Sequence, residues 1–196
     1  MNSEKSLELA KFEKSLELLQ RDLDIKEIEW MPGPVVPSKK NNKVYCMLIP
    51  YKNSTIDIDR LNEAFGADWK NDFRESEDKK TLLGGIGIFN PKLQEWIWRW
   101  NCGTPSPSEP TKGEHTDAIK RAGFMWGIGT ELKTFKTVFI ELLPGEYQND
   151  PAGGKTKASN YFKPNTWNFT EVDGVLQIKD TKGNVRFNRR VRPDAS

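Results

Sequence analysis

Apolar residues recur along the chain in two rhythms, helical at its start and centre and alternating elsewhere. Leu9, Phe12, Leu16, Leu19 and Leu23 return at spacings of three and four, which predicts an amphipathic helix over 3–24 with Glu17 and Arg21 placed to pair. Its stripe is expected to pack on the chain's own core, with a neighbouring subunit as the alternative. The hexapeptide Glu-Lys-Ser-Leu-Glu-Leu occurs at 4–9 and again at 13–18. Nine residues make about two and a half helical turns, so the copies face opposite sides and form no structural repeat.

The Pro-rich stretch 31–37 is expected to break regular structure, and 39–43 to form an exposed loop. The apolar run 44–49 predicts a buried strand that Pro50 ends. Ser54-Thr-Ile-Asp57 fits a capping-box start to a helix over 55–65, with Ile58, Leu61 and Phe65 inside and Gly66 as its terminator. Strands are predicted at 69–75, 81–89 and 94–101, the first two joined by a polar connection of hairpin length at 76–80. Trp96, Trp98 and Trp100 share one face of the third strand, with Ile97 and Arg99 on the other. That face is either a base-stacking platform or the core side that receives a helix. Burial of so much aromatic area favours core, which leaves Arg99 exposed.

Residues 112–132 predict a helix closing in a Gly-Ile-Gly turn. On a helical wheel Ala118, Ile119, Ala122, Gly123 and Trp126 fall on one side, and Asp117, Lys120, Arg121 and Phe124 on the other. Burial accounts for the first face and leaves the second unexplained. Farther on, 135–143 fits a strand or a buried helix, with Val138, Phe139 and Ile140 favouring strand, 144–164 reads as a flexible loop, and 167–172 with 175–179 as a hairpin around Asp173-Gly174. A short strand at 185–187 and a mobile basic tail carrying Arg186, Arg189, Arg190 and Arg192 complete the reading.

Composition narrows the function classes. The chain has 196 residues and a net charge of +2, so no global field draws in polyanions. Charge is nonetheless uneven: residues 150–196 hold nine Lys/Arg against five Asp/Glu, and the remainder 21 against 23. Cys46 and Cys102 are far apart with no C-x-x-C, so reduced thiols and a cytoplasmic setting are expected. No secretory signal or membrane-length apolar run is read. The lone His115 supplies neither a zinc set nor a Ser/Cys–His pair, and Asp57/Asp59 and Glu77/Asp78 read as a helix first turn and a hairpin tip. The glycines of 83–88 lack the Lys-Ser/Thr and the helix start that a phosphate cradle needs. No enzyme and no cofactor are expected. Nucleic-acid binding is better supplied, because Lys120 and Arg121 can track phosphates while Phe124 stacks on bases, although two exposed cations on a helix by themselves more often form a solvated face.

The stretch from Gly113-Glu-His-Thr-Asp-Ala-Ile-Lys-Arg-Ala to Trp126-Gly-Ile-Gly129 resembles the signature helix of the Rad fifty-two superfamily of single-strand annealing proteins, its phage Sak-type members especially. Leu61-Asn-Glu-Ala-Phe-Gly66 before Trp69, and the strand running from Trp98 into Cys-Gly-Thr104, are similar to neighbouring family elements. The resemblance covers roughly 44–132. It implies an α+β fold with a β-β-β-α annealing core, a ring or filament of copies, and ATP-independent annealing of single-stranded DNA in recombination and repair. Lys120 and Arg121 match the family's paired DNA-contacting residues, and Lys79 or Lys80 resembles its hairpin lysine. Arg99 and Lys112 are added from geometry, and Phe124 either stacks on a base or meets the next subunit. Gly123 stands where a better helix former is usual. Three segments are expected: an N-terminal helix (1–30), an annealing core (31–143), and a loop, β-hairpin and basic tail (144–196). Expected partners are single-stranded DNA, further copies of the chain, and host or phage recombination proteins, with no membrane. An end-protecting single-strand binder without annealing, or a metal-dependent nuclease, are the alternatives.

Overall fold

The first apolar stripe folds as its spacing predicts: Asn2–Gln20 is helix α1. After it come β1 (Glu29–Pro37), β2 (Val44–Tyr51), α2 (Ser54–Phe65), β3 (Trp69–Glu75), β4 (Leu82–Asn90), β5 (Glu95–Cys102) and α3 (Pro110–Met125). The chain continues through β6 (Val138–Leu142), β7 (Tyr147–Gln148), β8 (Lys157–Ala158), β9 (Asn168–Val172), β10 (Val175–Lys179) and β11 (Val185–Arg190). The computed structural model describes residues 2–77, 80–106, 109–149 and 154–193. The fold is α+β with antiparallel sheets. It divides into two compact units, Met1–Leu23 with Lys52–Thr130, and Asp24–Tyr51 with Glu131–Ser196. These borders differ from the segments 1–30, 31–143 and 144–196, because α1 packs with α2, β4 and α3, while β1, β2 and β6 group with the C-terminal strands.

In the first unit β3, β4 and β5 form a meander in which β4 is central. Alternation sorts the residues of β4. Gly84, Ile86 and Ile88 face the helices, and Gly85 and Gly87 face away. Ile86 and Ile88 are fully buried in a cluster with Leu19 of α1, Leu61 and Ala64 of α2, Ile119 and Ala122 of α3, and Trp126 just past its end. Phe12 and Leu16 pack on the same cluster, so the α1 stripe serves its own unit. Arg21, one residue past α1, reaches Glu63 at 2.8 Å rather than pairing with Glu17. The helix α2 starts on Asn53, whose side chain accepts from the Thr55 and Ile56 N–H groups. Asp57, Arg60, Leu61 and Ala64 then face inward, and Ile58, expected inside, is 41% exposed. The buried Arg60 donates to the Arg21 and Asp22 carbonyls, satisfying backbone acceptors just past α1.

In the second unit β1, β2 and β6 form one sheet and β9, β10 and β11 another, while β7 pairs with β8. The Pro-rich stretch 31–37 lies in β1 instead of breaking structure. It runs along a sheet edge, with a bulge between Pro32 and Val35, where a missing N–H costs no ladder bond. Pro50 sits inside β2 for the same reason, beyond the last β6 pair at Leu48↔Val138. The stretch 144–164 carries β7 and β8 and is not a bare loop, and Asp150–Gly153 lie outside the described residues. The Asp173-Gly174 turn joins β9 to β10 as predicted, both residues at positive φ. The basic tail is ordered as β11 and the residues just after it. Arg186 is only 8% exposed, held by Glu146 at 2.7 Å, and Arg192 pairs with Glu171 at 2.6 Å. Trp30 stacks on Phe169, with ring centroids 5.5 Å apart.

Candidate nucleic-acid interface

The helix α3 begins at Pro110, whose missing N–H suits a first turn, and ends at Met125. Its chain then turns through Gly127 and Gly129, both at positive φ, at the Gly-Ile-Gly turn expected to close the helix. Ala118, Ile119, Ala122 and Gly123 are buried, as the wheel places them. On the opposite face Asp117 anchors both cations: Arg121 Nε donates to it at 2.8 Å, and Lys120 Nζ lies 3.7 Å away. The Thr104 N–H donates to the same carboxylate at 3.0 Å, which ties this turn to the end of β5. Two cations thus share one carboxylate, and about one positive charge remains for a ligand. Lys120 is 27% exposed and Arg121 45%.

Beneath this turn lies a buried ion pair that the sequence reading did not contain. Lys52 and Asp57 are both fully buried and paired with each other. Lys52 Nζ also donates to the Lys120 carbonyl at 3.3 Å and lies 4.4 Å from the Phe124 ring centre. Phe124 is half-buried and packs over this pair. Burial pushes the Asp57 carboxyl up to about 6, against the pull of Lys52 and Lys120. A Cβ on Gly123 would stand 1.9 Å from Asp57 Oδ1, which explains why a poor helix former occupies this turn.

The face of the meander turned away from the helices carries the tryptophans. Trp96, Trp98 and Trp100 pair across from Phe89, Gly87 and Gly85, and their rings are half-buried. The expectation that they form the core side is overturned. The isoleucines of β4 face the helices, so the tryptophans, in register with the β4 glycines, face outward. The rings lie down on the glycines: a Cβ on Gly85 would meet the Trp100 ring at 2.6 Å, and one on Gly87 the Trp98 ring at 2.9 Å. Trp98 and Trp100 stack with centroids 5.0 Å apart. From β3, Lys70 Nζ sits 3.9 Å from the Trp96 ring centre and Arg74 Cζ 4.2 Å from that of Trp100. Among the described residues Lys70 has no acidic partner, and Arg74 meets Asp72 at 3.3 Å. Lys70, Arg74 and the glycine floor were missed from the sequence. The signal for them is glycine alternating with isoleucine in β4, which marks one face for the core and the other for flat rings.

The remaining expected residues are dispersed. Arg99 is exposed on the helix-facing side of β5, 5.4 Å from the Trp126 ring centre. Lys112 pairs with Glu109 at 3.1 Å in the first turn of α3. Lys80 is exposed beside the β3–β4 connection, and Lys79 and Asp78 lie outside the described residues. His115 is bound to the Thr111 carbonyl at 2.8 Å and packs on Phe73. Among the described residues no His, Cys, Asp and Glu group is placed to hold a metal ion, and no helix is long and apolar enough to cross a membrane. No family model matches the chain, and no curated protein or solved structure matches it either.

Proposed function

We propose that the chain binds single-stranded DNA and anneals complementary strands without ATP, as a homo-oligomeric ring or filament acting in recombination and repair. The observation that carries this reading is the outward face of β3–β5, where three tryptophan rings on a glycine floor lie beside Lys70 and Arg74. Rings accept bases of any identity and cations track the backbone, which is the chemistry of sequence-tolerant single-strand binding. Annealing needs strand capture and release of the bases to a partner, and neither step needs a bound nucleotide or a covalent intermediate. In this reading β3, β4, β5 and α3 are the β-β-β-α annealing core. Lys120 and Arg121, with half their charge answered by Asp117, add a lesser phosphate contact, and the chain is not an enzyme.

The test is an annealing assay with complementary labelled oligonucleotides, run with the parent and with Lys70→Ala/Arg74→Ala. The parent speeds pairing at low salt, and the variant loses most of that acceleration together with strand retention. A parent that leaves the spontaneous pairing rate unchanged overturns the reading. If it shields strands from a nuclease without speeding pairing, the protein is an end protector.

A further inference from the structure

The second unit carries an open groove of about 920 Å³ that the reading above does not use. One wall is the outer face of the β1–β2–β6 sheet. Alternation turns Val44, Cys46 and Leu48 of β2, with Val138, Ile140 and Leu142 of β6, into the core. The same alternation leaves Tyr45 and Phe139 on the other side, where Phe139 is 45% exposed. The opposite wall is β11, which contributes Phe187 and Arg189. Lys40, Lys136 and Arg190 add to the basic lining.

Two features separate ligand-binding charge from structural charge. Arg186 also borders the groove, but Glu146 and Asp180 hold it, so it is part of the fold. The carboxylate in the lining, Glu141, is already neutralised by Lys43 at 2.7 Å. Lys40, Lys136 and Arg189 are exposed and, among the described residues, meet no acidic side chain. The groove therefore presents uncompensated positive charge beside three aromatic rings, two on the open sheet face and one on β11. Such a surface offers ring faces for planar groups and little depth for an aliphatic anchor.

We infer that this groove is a second binding surface for single-stranded nucleic acid, in which Lys40, Lys136 and Arg189 contact phosphates and Tyr45, Phe139 and Phe187 stack on bases. The ligand's identity rests on the function proposed above, whereas the site is separate from the β3–β5 face. The test is photocrosslinking of the full chain to an iodouridine-substituted single strand, with the crosslinked residues located by peptide mapping. The parent is expected to give crosslinks at Tyr45, Phe139 or Phe187 as well as at Trp96, Trp98 or Trp100. Lys136→Ala/Arg189→Ala should lower the groove crosslinks by roughly fivefold or more and leave the tryptophan crosslinks within about twofold. Crosslinks at the tryptophans alone overturn the groove and leave the proposed interface standing. Crosslinks in the groove alone overturn the tryptophan interface and keep the groove. A strand that crosslinks nowhere removes both. If an oligoglutamate peptide shields Tyr45 and Phe139 from chemical modification and the strand does not, the groove is a site for acidic peptides and the inference fails.

Discussion

The polar turn of α3 and the outward face of the meander both set cations near aromatic rings, yet they rest on different foundations. Under α3 the support is ionic, a buried Lys52–Asp57 pair pressed against Gly123, with Lys120 and Arg121 tethered to Asp117. Under the tryptophans the support is steric, two glycines that leave room for flat rings. On α3 about half the charge is answered within the protein, while on the sheet Lys70 lies over a ring and meets no carboxylate among the described residues. An adjacent Lys-Arg pair in sequence is therefore a weaker sign of available charge than cations whose neighbours are rings and glycines.

The most severe way to break this comparison is to remove the rings. Trp98→Ala/Trp100→Ala should weaken strand binding by about 1–3 kcal/mol per ring, roughly 5- to 160-fold each, as followed by fluorescence anisotropy of a labelled oligothymidylate. Trp98→Phe should keep part of that affinity. Equal binding by the double variant and the parent would move the interface off the sheet.

Gly123→Ala tests the ionic foundation. Helix propensity alone predicts a gain of about 1 kcal/mol, but the methyl group would collide with Asp57, so a net loss of about 1–3 kcal/mol is expected in urea unfolding. The same foundation titrates. Asp57 stands at about 6 in the folded chain against an ordinary 3.8, so between those values the native state binds more protons than the unfolded one. Its contribution to stability is therefore full below about pH 4 and falls as pH rises through 6. Unfolding measured from pH 4 to 7 should show that decline in the parent relative to Asp57→Asn, in which this component of the slope is absent.

Smaller effects sharpen the contrast. Lys70→Ala/Arg74→Ala should reduce the slope of log affinity against log salt by about 1.4, at roughly 0.7 per phosphate on a single strand. Lys120→Ala/Arg121→Ala should change it less, because Asp117 already answers part of that charge. Asp117→Asn is the finest probe: it frees both cations and should raise affinity by up to about threefold if α3 touches the strand, in keeping with the small energies of exposed pairs. Unchanged binding would confine the interface to the sheet.

Much of this architecture was legible in the residues. The 3.6-residue rhythm placed α1 and the buried face of α3, and alternation with a polar break placed β3, β4 and β5 within a residue or so. The Asp-Gly turn marked the β9–β10 hairpin. Period-two alternation, however, divides a strand into two faces without saying which one a helix covers, so the aromatic area of the tryptophans points to the core when the sequence is read alone. The Lys52–Asp57 pair could not be read, since a residue before α2 and another in its first turn are sealed only when α3 packs across them. The arginine tail looked mobile for want of its partners, Glu146 and Glu171, which precede Arg186 and Arg192 by some forty and twenty residues.

By itself, then, the sequence determined the local periods and the turns, because those follow from backbone geometry and side-chain size. The tertiary structure alone decided which face of the meander is outward and which charges are answered within the fold. Both depend on contacts between residues distant along the chain, and the one-dimensional order of residues does not carry that information.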